Sequence, residues 1–370
     1  MKNPIDLAAE AAAFADQYQM LPQGSTVLCA VSGGKDSMAL LSVLQTLAPE
    51  RNLMIHAAHF NHQLRGEESQ RDEDFVSKWC ADHNIPLTIG SGDVAQAAQE
   101  QGKGIEETAR AMRYGFLTET AQEVGAEKIA TAHNADDNAE TVLLHLVRGS
   151  GLDGLTGIPP VRGILIRPLL GVPRIDIEVY LAQENIPHVE DSSNQDTKFA
   201  RNRIRQAILP VMKDLNPAFV STLSANLVHL REDRELLHDM AESVTCEALV
   251  EDGKVSIQAA SLADLPHPIA ARAVKQLLAK AGRFQVSAVH IDQIIELATG
   301  ETPSANLNLP EGLFAWREYE NLVICPAEAI PPSFSLRLLT GPGVFALDNG
   351  WQIEIEETTC PEIPAQEEYE

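Results

Sequence analysis

The six residues at positions 32–37 carry the clearest chemical signal in this sequence. They read Ser-Gly-Gly-Lys-Asp-Ser and lie between an apolar run and a stretch with helical spacing. Two adjacent glycines let the backbone turn tightly and bring its N–H groups against an anion, and a following helix directs its positive end to the same place. The pattern therefore predicts a loop that cradles the phosphates of a nucleotide. The candidate nucleotide-binding residues are Ser32, Gly33, Gly34, Lys35, Asp36 and Ser37.

Asp36 is the acid of this loop, and phosphate would repel its carboxylate unless a cation lay between them. Mg²⁺ is commonly held in proteins by one or two carboxylates together with phosphate oxygens. We therefore expect Asp36 to bind Mg²⁺ and to take part in catalysis. The alternative is an ordinary strand-to-helix turn, in which Asp36 merely complements the positive end of a helix. The loop matches neither the Walker pattern nor the dinucleotide-binding fingerprint.

A second polar cluster, at positions 133–140, follows another predicted strand. Asp136, Asp137 and Glu140 would lie in the first turns of a helix at the C-terminal end of that strand, where doubly wound sheets bind ligands. They are candidates for contacting metal or a substrate amine, and Glu140 is also a catalytic candidate. His133 could accept a proton as a general base. The alternative is that the acids only complement a helix N-terminus.

Two arginines, Arg110 and Arg113, lie three residues apart in a predicted helix and therefore share one of its faces. Guanidinium groups pair well with phosphate oxygens, so Arg113 is a catalytic candidate that would stabilise phosphate charge. Ordinary solvated arginines are the alternative for both positions.

The chain is strongly acidic, with a net charge of −25 over 370 residues. Both halves contribute, −10 from residues 1–215 and −15 from residues 216–370. Taken alone this argues against nucleic acid, which must be met by Lys and Arg. The stretch 198–213 nevertheless has five basic residues and no acid, and a basic patch can exist on an acidic body. Its candidate substrate-binding residues are Arg201, Arg203 and Arg205.

These side chains must be positioned by a regular framework, and the hydrophobic pattern predicts one. Short β-rich runs alternate with helical spacing through the first half, which is typical of a doubly wound parallel sheet. The predicted strands are 25–31, 54–59, 86–89 and 128–132, and the predicted helices are 7–18, 36–47, 68–83, 105–124 and 136–147. The second half predicts helices at 219–250, 269–281 and 288–297 and β-hairpins within 307–323 and 334–355. The expected fold class is α/β, followed by a mainly helical domain with C-terminal β-hairpins.

Composition and length place the chain among folded proteins of two or three domains. Apolar residues make up 44% and charged residues 22%, which is ordinary for globular proteins. No run approaches the roughly 18 apolar residues of a membrane span, so we expect no membrane contact and a cytoplasmic location. The expected domains are 1–215, 216–330 and a short β-rich segment at 331–370, with the first boundary near 215–217.

Residues 32–37 resemble the loop of the PP-loop ATP pyrophosphatases, whose members adenylate a carbonyl oxygen and release pyrophosphate. Later segments are similar, in the same order, to those of the tRNA(Ile)-lysidine synthetases. These segments are 59–69, 107–114, 131–141 with 148–152, and 167–170 with 190–194 and 201–205. The resemblance covers about residues 24–215. Asn134 and Asn138 depart from it, because many members have His and Gln at these positions, and neither is assigned a role.

The resemblance implies a PP-loop fold of the adenine nucleotide α hydrolase type, with ATP as cofactor. The implied reaction joins free L-lysine to the C2 position of the wobble cytidine in a tRNA(Ile) with a CAU anticodon. It forms lysidine through an adenylated cytidine and releases AMP and pyrophosphate. On this interpretation Asp36 holds Mg²⁺, Arg113 stabilises phosphate charge and His133 accepts a proton from lysine. Asp137 and Glu140 would contact lysine or metal interchangeably.

Three other functions stay open. A PP-loop tRNA thiolase would commonly need paired reactive cysteines, and the five cysteines are scattered without a Cys-x-x-Cys pair. A non-catalytic RNA-binding module should have lost Asp36 or the loop glycines. A small-molecule amidating synthetase is disfavoured by the basic run and by the lack of an obvious glutaminase domain.

Further expectations concern the rest of the molecule. Longer family members have a basic C-terminal domain with an Arg-rich motif that contains Gly-Asp, and no such motif is found here. The residues from 216 to 330 are expected to bind tRNA, and residues 331–370 to belong either to a short family member or to a truncated last domain. A homodimer is compatible with the sequence.

Overall fold

The computed structural model describes residues 5–190, 200–251, 253–282, 286–300, 305–326, 341–346 and 352–356. The chain divides into two compact units, Met1–Arg234 and Glu235–Glu370. The division falls within a long helix, Phe219–Thr245, whereas the boundary predicted near 215–217 lies just before this helix. The three-domain partition stays a prediction.

A six-stranded sheet forms the centre of the first unit. Its strands are β1 (Thr26–Ala30), β2 (Met54–Asn61), β3 (Leu87–Ser91), β4 (Lys128–Ala130), β5 (Val161–Arg162) and β6 (Leu165–Ile166). Their order is β3-β2-β1-β4-β6-β5, and every neighbouring pair is parallel except β5 with β6. The order reverses between β1 and β4, and ligands of open α/β sheets bind at such a switch point, outside the carboxyl ends of the strands.

Helices surround this sheet and connect its strands. They are α1 (Leu7–Gln17), α2 (Lys35–Arg51), α3 (Glu67–Asp82), α4 (Val94–Gln101), α5 (Ile105–Glu123), α6 (Ala135–Val147), α7 (Leu152–Leu155) and α8 (Arg174–Gln183). Further along are α9 (Ala200–Arg203), a π-helical turn (Ile204–Ile208), α10 (Leu209–Leu215) and α11 (Phe219–Thr245). All five helices predicted in the first half are confirmed. The helices α4, α7, α8, α9 and α10 were not predicted.

Both faces of the sheet are buried, which explains the continuous apolar sequence of its central strand. In β1, Val27 and Cys29 belong to the core on one face and Leu28 to the core on the other, as the two-residue period of a strand requires. Leu44 of α2 packs in the first core and Leu117 of α5 in the second. Helices therefore cover both faces, and the predicted doubly wound α/β architecture is confirmed.

The second unit is built on a five-stranded antiparallel sheet of order β7-β8-β11-β10-β9. Its strands are β7 (Leu249–Glu251), β8 (Lys254–Gln258), β9 (Asn306–Leu309), β10 (Leu313–Glu318) and β11 (Asn321–Pro326). The helices are α12 (Ala260–Ala263), α13 (His267–Lys280) and α14 (Ala288–Thr299). The predicted helices at 269–281 and 288–297 and the hairpin at 307–323 are confirmed, whereas β7 and β8 were not predicted.

A separate two-stranded sheet pairs β12 (Gly343–Ala346) with β13 (Gln352–Ile355). It agrees with the hairpin predicted within 334–355 for the part that the structure describes, and residues 334–340 lie outside the described residues. Among the described helices, none combines the length and apolar character needed to cross a bilayer.

Candidate functional site

The predicted phosphate loop joins the C-terminal end of β1 to the first turn of α2. The Ser37 hydroxyl organises it by donating to the Gly34 carbonyl oxygen at 2.9 Å and accepting from the Ser32 backbone N–H at 3.1 Å. Gly34 immediately precedes α2 and has no side chain with which to cap that helix. The first N–H groups of α2 therefore stay available to an anion.

Gly33 makes the tight turn that the sequence requires. Its φ of +89° lies in the left-handed region that favours glycine. A Cβ atom at this position would lie 3.0 Å from a methyl group of Val189 and 3.4 Å from one of Val76. The Gly33 carbonyl oxygen also accepts a hydrogen bond from the Val189 N–H at 2.9 Å. Any larger residue would disturb the loop.

Lys35 begins α2, but its ammonium group lies 3.2 Å from Oε1 of Glu178 in α8. Both side chains are partly exposed, and they border an open cleft of about 430 Å³ that His188 also lines. A contact between Lys35 and phosphate, which the sequence predicts, would require this side chain to leave Glu178.

Asp36 and Asn134 meet across the switch point between β1 and β4. Asp36 lies in the first turn of α2, and Nδ2 of Asn134 donates to its Oδ1 at 2.9 Å. Burial raises the pKa of the Asp36 carboxyl, the charge of Asp137 raises it further, and Arg174 and the Asn134 hydrogen bond oppose the change. A carboxylate whose charge is disfavoured in this way is suited to binding a cation.

Asn134 also caps the N-terminus of α6. Its Oδ1 accepts a hydrogen bond from the Asp137 N–H at 3.0 Å, and its own N–H donates to Asp137 Oδ2 at 3.1 Å, which is a reciprocal capping box. The side chain is completely buried. Sequence reasoning gave Asn134 no role, although its position before a helical acid-rich turn is the usual signal for a helix cap.

Asp137 and Glu140 face arginines supplied by later segments. Glu140 is fully buried, and its two oxygens accept hydrogen bonds from Nε of Arg205 at 2.6 Å and from Nε of Arg201 at 3.0 Å. Oδ1 of Asp137 accepts from Arg205 at 3.0 Å and from Arg174 at 3.1 Å. Burial alone would lower the pKa of Arg205, but the hydrogen bonds and charges of these acids raise it. The acids are therefore neutralised by the chain itself.

This network accounts for much of the basic run at 198–213. Arg201 and Arg205 are brought onto the acids of α6 rather than onto an open patch, while Arg203 is exposed. Lys198 lies outside the described residues. The assignment of all three arginines to substrate binding stays a prediction. Arg201 and Arg205 already pair with Glu140, so binding of substrate by either would compete with these ion pairs.

Asp136 is buried and holds an ammonium group at the edge of an open cleft. Lys213 Nζ lies 2.5 Å from Asp136 Oδ1, and the Arg174 N–H donates to Asp136 Oδ2 at 2.8 Å. The cleft has a volume of about 220 Å³ and is also lined by Glu178 and Arg205. The site can therefore accommodate an alkylammonium group on a buried carboxylate.

His133 follows β4 and lies among arginines, with Nδ1 3.1 Å from the Thr131 hydroxyl. Burial lowers the pKa of His133 to about 3, and the charges of Arg167, Arg201 and Arg113 contribute. Burial likewise lowers the pKa of Arg113. His133 is thus uncharged near neutral pH and weakly basic. To act as the predicted general base it would need a nearby anion that offsets the charges of the arginines and raises its pKa.

Two family models match this chain, a PP-loop domain over residues 7–212 and a TilS substrate binding domain over residues 258–323. The tRNA(Ile)-lysidine synthase of Geobacter sulfurreducens is 34% identical over 366 residues, which cover 97% of this chain and 78% of the relative. The enzyme of the same name from Geobacillus kaustophilus is 33% identical over 350 residues, or 92% of this chain and 75% of the relative. The chain belongs to the tRNA(Ile)-lysidine synthase family.

The fold of this lysidine synthase family member also resembles a solved structure of another PP-loop protein. The U34-tRNA thiolase NcsA from Methanococcus maripaludis, solved with its [4Fe-4S] cluster, superposes with a TM-score of 0.50 at 17% identity. The match covers 61% of this chain and 79% of that chain. At this identity the likeness concerns the fold alone.

The cysteines of this family member bear on the thiolase alternative. Cys29, Cys80 and Cys325 are buried, and burial raises the pKa of all three thiols, that of Cys80 to about 11. A thiol with a raised pKa is a poor nucleophile near neutral pH. Cys246 is exposed, and Cys360 lies outside the described residues. The described cysteines thus give no support to a thiolase.

Proposed function

We propose that this protein catalyses the ATP-dependent joining of L-lysine to the wobble cytidine of tRNA(Ile), forming lysidine. The observation that carries the proposal is the contact between the starts of α2 and α6 at the switch point of the sheet, in a chain of the lysidine synthase family. We call this place the crevice, because open α/β sheets bind ligands there. There the phosphate loop, the acid Asp36 and the polar start of α6 meet at the switch point of the sheet. A nucleotide and a second substrate can be held together in this place.

The chemistry requires activation before substitution. The C2 carbonyl oxygen of cytidine is a poor leaving group, so an amine cannot displace it directly. Transfer of AMP from ATP to this oxygen converts it into a good leaving group and releases pyrophosphate. The lysine side-chain amine then forms the new C–N bond as AMP leaves. In this scheme the N–H groups at the start of α2 hold phosphate oxygens, and the Ser32 and Ser37 hydroxyls fix the loop.

Mg²⁺ is proposed to bind Asp36. The donor set fits, because a partly buried carboxylate beside the charge of Asp137 is stabilised by a cation, and Mg²⁺ bound with ATP takes most of its ligands from phosphate and water. Within the described segments no cluster of three acidic, His or Cys side chains forms a separate metal cage. When bound, the ion would offset phosphate charge during adenylation.

Lysine is proposed to bind at the acids of α6. Asp136, Asp137 and Glu140 are the buried carboxylates nearest the crevice, and each is already paired with a cation of the chain. An incoming ammonium must therefore replace one of these cations. Lys213 is the most exposed of them and borders the 220 Å³ cleft, so Asp136 is the acid from which a resident cation can most readily be displaced.

Before lysine can attack, its side-chain ammonium must lose a proton, and His133 is the proposed acceptor. An unperturbed lysine amine has a pKa of about 10.4, whereas that of His133 is lowered to about 3. Proton transfer to this imidazole becomes favourable only if bound phosphate offsets the nearby arginines. His133 is therefore proposed as a base only in the substrate complex.

The second unit is proposed to bind tRNA, because residues 258–323 match the family's substrate binding domain. Location in the cytoplasm and assembly as a homodimer stay predictions from the sequence.

The proposal is tested by AMP release from ATP with purified protein and tRNA(Ile) transcripts whose wobble base is either C or U. Uridine offers an N3–H where cytidine offers an acceptor, so a site built for cytidine should reject it. We expect lysine-dependent AMP release with the C transcript and little with the U transcript. AMP release that ignores lysine would contradict the proposal.

A further inference from the structure

Three arginines surround Tyr114 at the carboxyl ends of the strands. Arg110 and Arg113 lie on α5, with their guanidinium carbons 4.9 Å and 5.4 Å from the centre of the Tyr114 ring. Arg167 directly follows β6 and interacts electrostatically with both Tyr114 and Arg110. We name Arg110, Arg113, Tyr114 and Arg167 the Tyr114 cluster.

Among the residues that the structure describes, acids do not balance the charges of the Tyr114 cluster. In the part of the chain that the structure describes, no carboxylate forms an ion pair within 4.0 Å of Arg110, Arg113 or Arg167. Burial lowers the pKa of Arg113 and of Arg167, and Arg110 lowers both further. This contrasts with the arginines at Asp137 and Glu140, which are matched by acids. A group of like charges held together without counter-charge is stabilised by binding an anion.

Buried polar atoms at the Tyr114 cluster also lack partners. Among the described residues, Nε of Arg167 and Nδ1 of His62, which lies near the charge of Arg113, are buried without a hydrogen bond, whereas the Tyr114 hydroxyl interacts with Arg113 and Arg167. Arg167 is only 3% exposed, and its Nη1 is fixed by the Pro159 carbonyl oxygen at 2.5 Å. Leaving such polar atoms buried and unpaired is costly. The cluster is therefore built for a ligand with several acceptor oxygens, for which a phosphate group is the natural match.

The ligand is better explained as RNA than as ATP. The triphosphate has its own cradle at residues 32–37, at the start of α2, whereas α5 covers the opposite face of the sheet. Arg110 is exposed, so the cluster reaches solvent. The basic run at 198–213, which the sequence predicts to bind RNA, is partly neutralised, because Arg201 and Arg205 pair with Glu140. On a chain with a net charge of −25, a polyanion must be met by cations that acids have not already paired.

We infer that Arg110, Arg113 and Arg167, arranged around Tyr114, bind a backbone phosphate of the substrate tRNA close to its reacting nucleotide. The inference rests on the proposed function, because it takes tRNA as the substrate of the neighbouring crevice. It assigns RNA binding to Tyr114 and Arg167. Both residues lie in the sequence motifs described above, where neither was given a role.

The test measures binding of a tRNA(Ile) transcript over a range of salt concentrations, and binding of ATP without tRNA. The variants are Arg110→Gln, which removes an exposed charge, and Tyr114→Phe, which removes only a hydroxyl. Lys128→Gln is the matched control, because it removes one positive charge at the opposite end of β4. We expect Arg110→Gln to weaken tRNA binding about 3- to 10-fold and to reduce the slope of log K against log salt by about 0.7.

Tyr114→Phe should weaken tRNA binding about 2- to 5-fold with an unchanged salt slope, because a hydrogen bond is lost and no charge. ATP affinity should stay the same in both variants, and Lys128→Gln should behave as wild type. Unchanged tRNA binding in Arg110→Gln and Tyr114→Phe would overturn the inference, and so would a loss confined to ATP. Failure of the proposed function would look different: the wild-type protein would form no lysidine, whatever the salt slopes.

Discussion

Asn134 donates a hydrogen bond to Asp36 across the switch point of the sheet, at 2.9 Å and over 98 positions of sequence. The contact ties the start of α6 to the start of α2, so the two sides of the crevice are held in register before any ligand binds. Asn134 is fixed in turn by its capping box with Asp137. The acid proposed to bind Mg²⁺ is thereby oriented by the same residue that begins the acid-bearing helix.

Asp36→Asn should remain folded and lose pyrophosphate release. The pKa of Asp36 is raised by burial and by Asp137, so its ionised form is disfavoured in the native state, and the neutral isostere should raise the urea midpoint at pH 8. Activity should fall about 100-fold or more, because a carboxylate is lost where a cation must offset phosphate charge. Pyrophosphate release and urea unfolding check both effects. Full activity at saturating Mg²⁺ would remove Asp36 from the mechanism.

Glu140→Gln should destabilise the first unit strongly. Glu140 is fully buried between Arg201 and Arg205, and removal of one partner of a buried pair costs about 3–5 kcal/mol. Asp16→Asn is the control, because Asp16 pairs with Arg51 but its side chain is 62% exposed, and a surface pair contributes about 0–1 kcal/mol. Urea unfolding measures both. Equal losses in the two variants would show that the α6 network is not a buried ion-pair system.

Arg203→Gln and Arg205→Gln should separate RNA contact from internal pairing. Arg203 is exposed, so its loss should leave stability within about 0.5 kcal/mol of wild type. If Arg203 touches RNA phosphate, the salt slope for tRNA binding should fall by about 0.7. Arg205→Gln should instead lower the free energy of unfolding, because it leaves Glu140 short of a partner. If Arg205→Gln instead lowered the salt slope and left the free energy of unfolding unchanged, Arg205 would belong to an outward-facing basic patch.

Local features of the site could be predicted from the sequence, because each depends only on residues that are consecutive in the chain. The loop at 32–37 is one turn between a strand and a helix, and its two glycines and flanking hydrophobic runs are enough to indicate it. The acids of α6 are likewise recognisable as a helical first turn after a strand. The doubly wound sheet could be predicted because segments with the two-residue hydrophobic period of strands alternate with segments that have helical spacing.

The partners of these residues could not be predicted, because they come from distant segments. A run with Arg201, Arg203 and Arg205 reads as a solvated basic face, and nothing local shows that two of its members meet Asp137 and Glu140. The contact between Asn134 and Asp36 depends on the order of β1 and β4 in the sheet. The short strands β7 and β8 were missed because they directly follow a long helical pattern and have only three and five residues.

His133→Asn should reduce the sensitivity of the protein to acid. The pKa of His133 is about 3 in the folded protein and about 6.5 when unfolded, so between these values the unfolded chain binds more protons. Stability is therefore lost as pH falls from 6.5 towards 3. Between pH 8 and pH 5 the free energy of unfolding of the wild-type protein should fall by about 1–2 kcal/mol more than that of the variant.

Urea unfolding at pH 8, 6 and 5 measures this difference. His229→Asn is the matched control, because His229 is 77% exposed and should leave the pH dependence unchanged. Parallel losses of stability in wild type and His133→Asn would show that the imidazole of His133 is not held in its neutral form by the fold.

Mass spectrometry of the wobble nucleoside tests lysidine formation most directly. A tRNA(Ile) transcript with a CAU anticodon is incubated with the protein, ATP, Mg²⁺ and isotope-labelled L-lysine, and then digested to nucleosides. We predict that cytidine at the wobble position is replaced by a nucleoside that carries the whole labelled lysine, and that omitting ATP abolishes the product. An unmodified wobble cytidine in the complete reaction, or a modified base without the lysine label, would contradict the assignment.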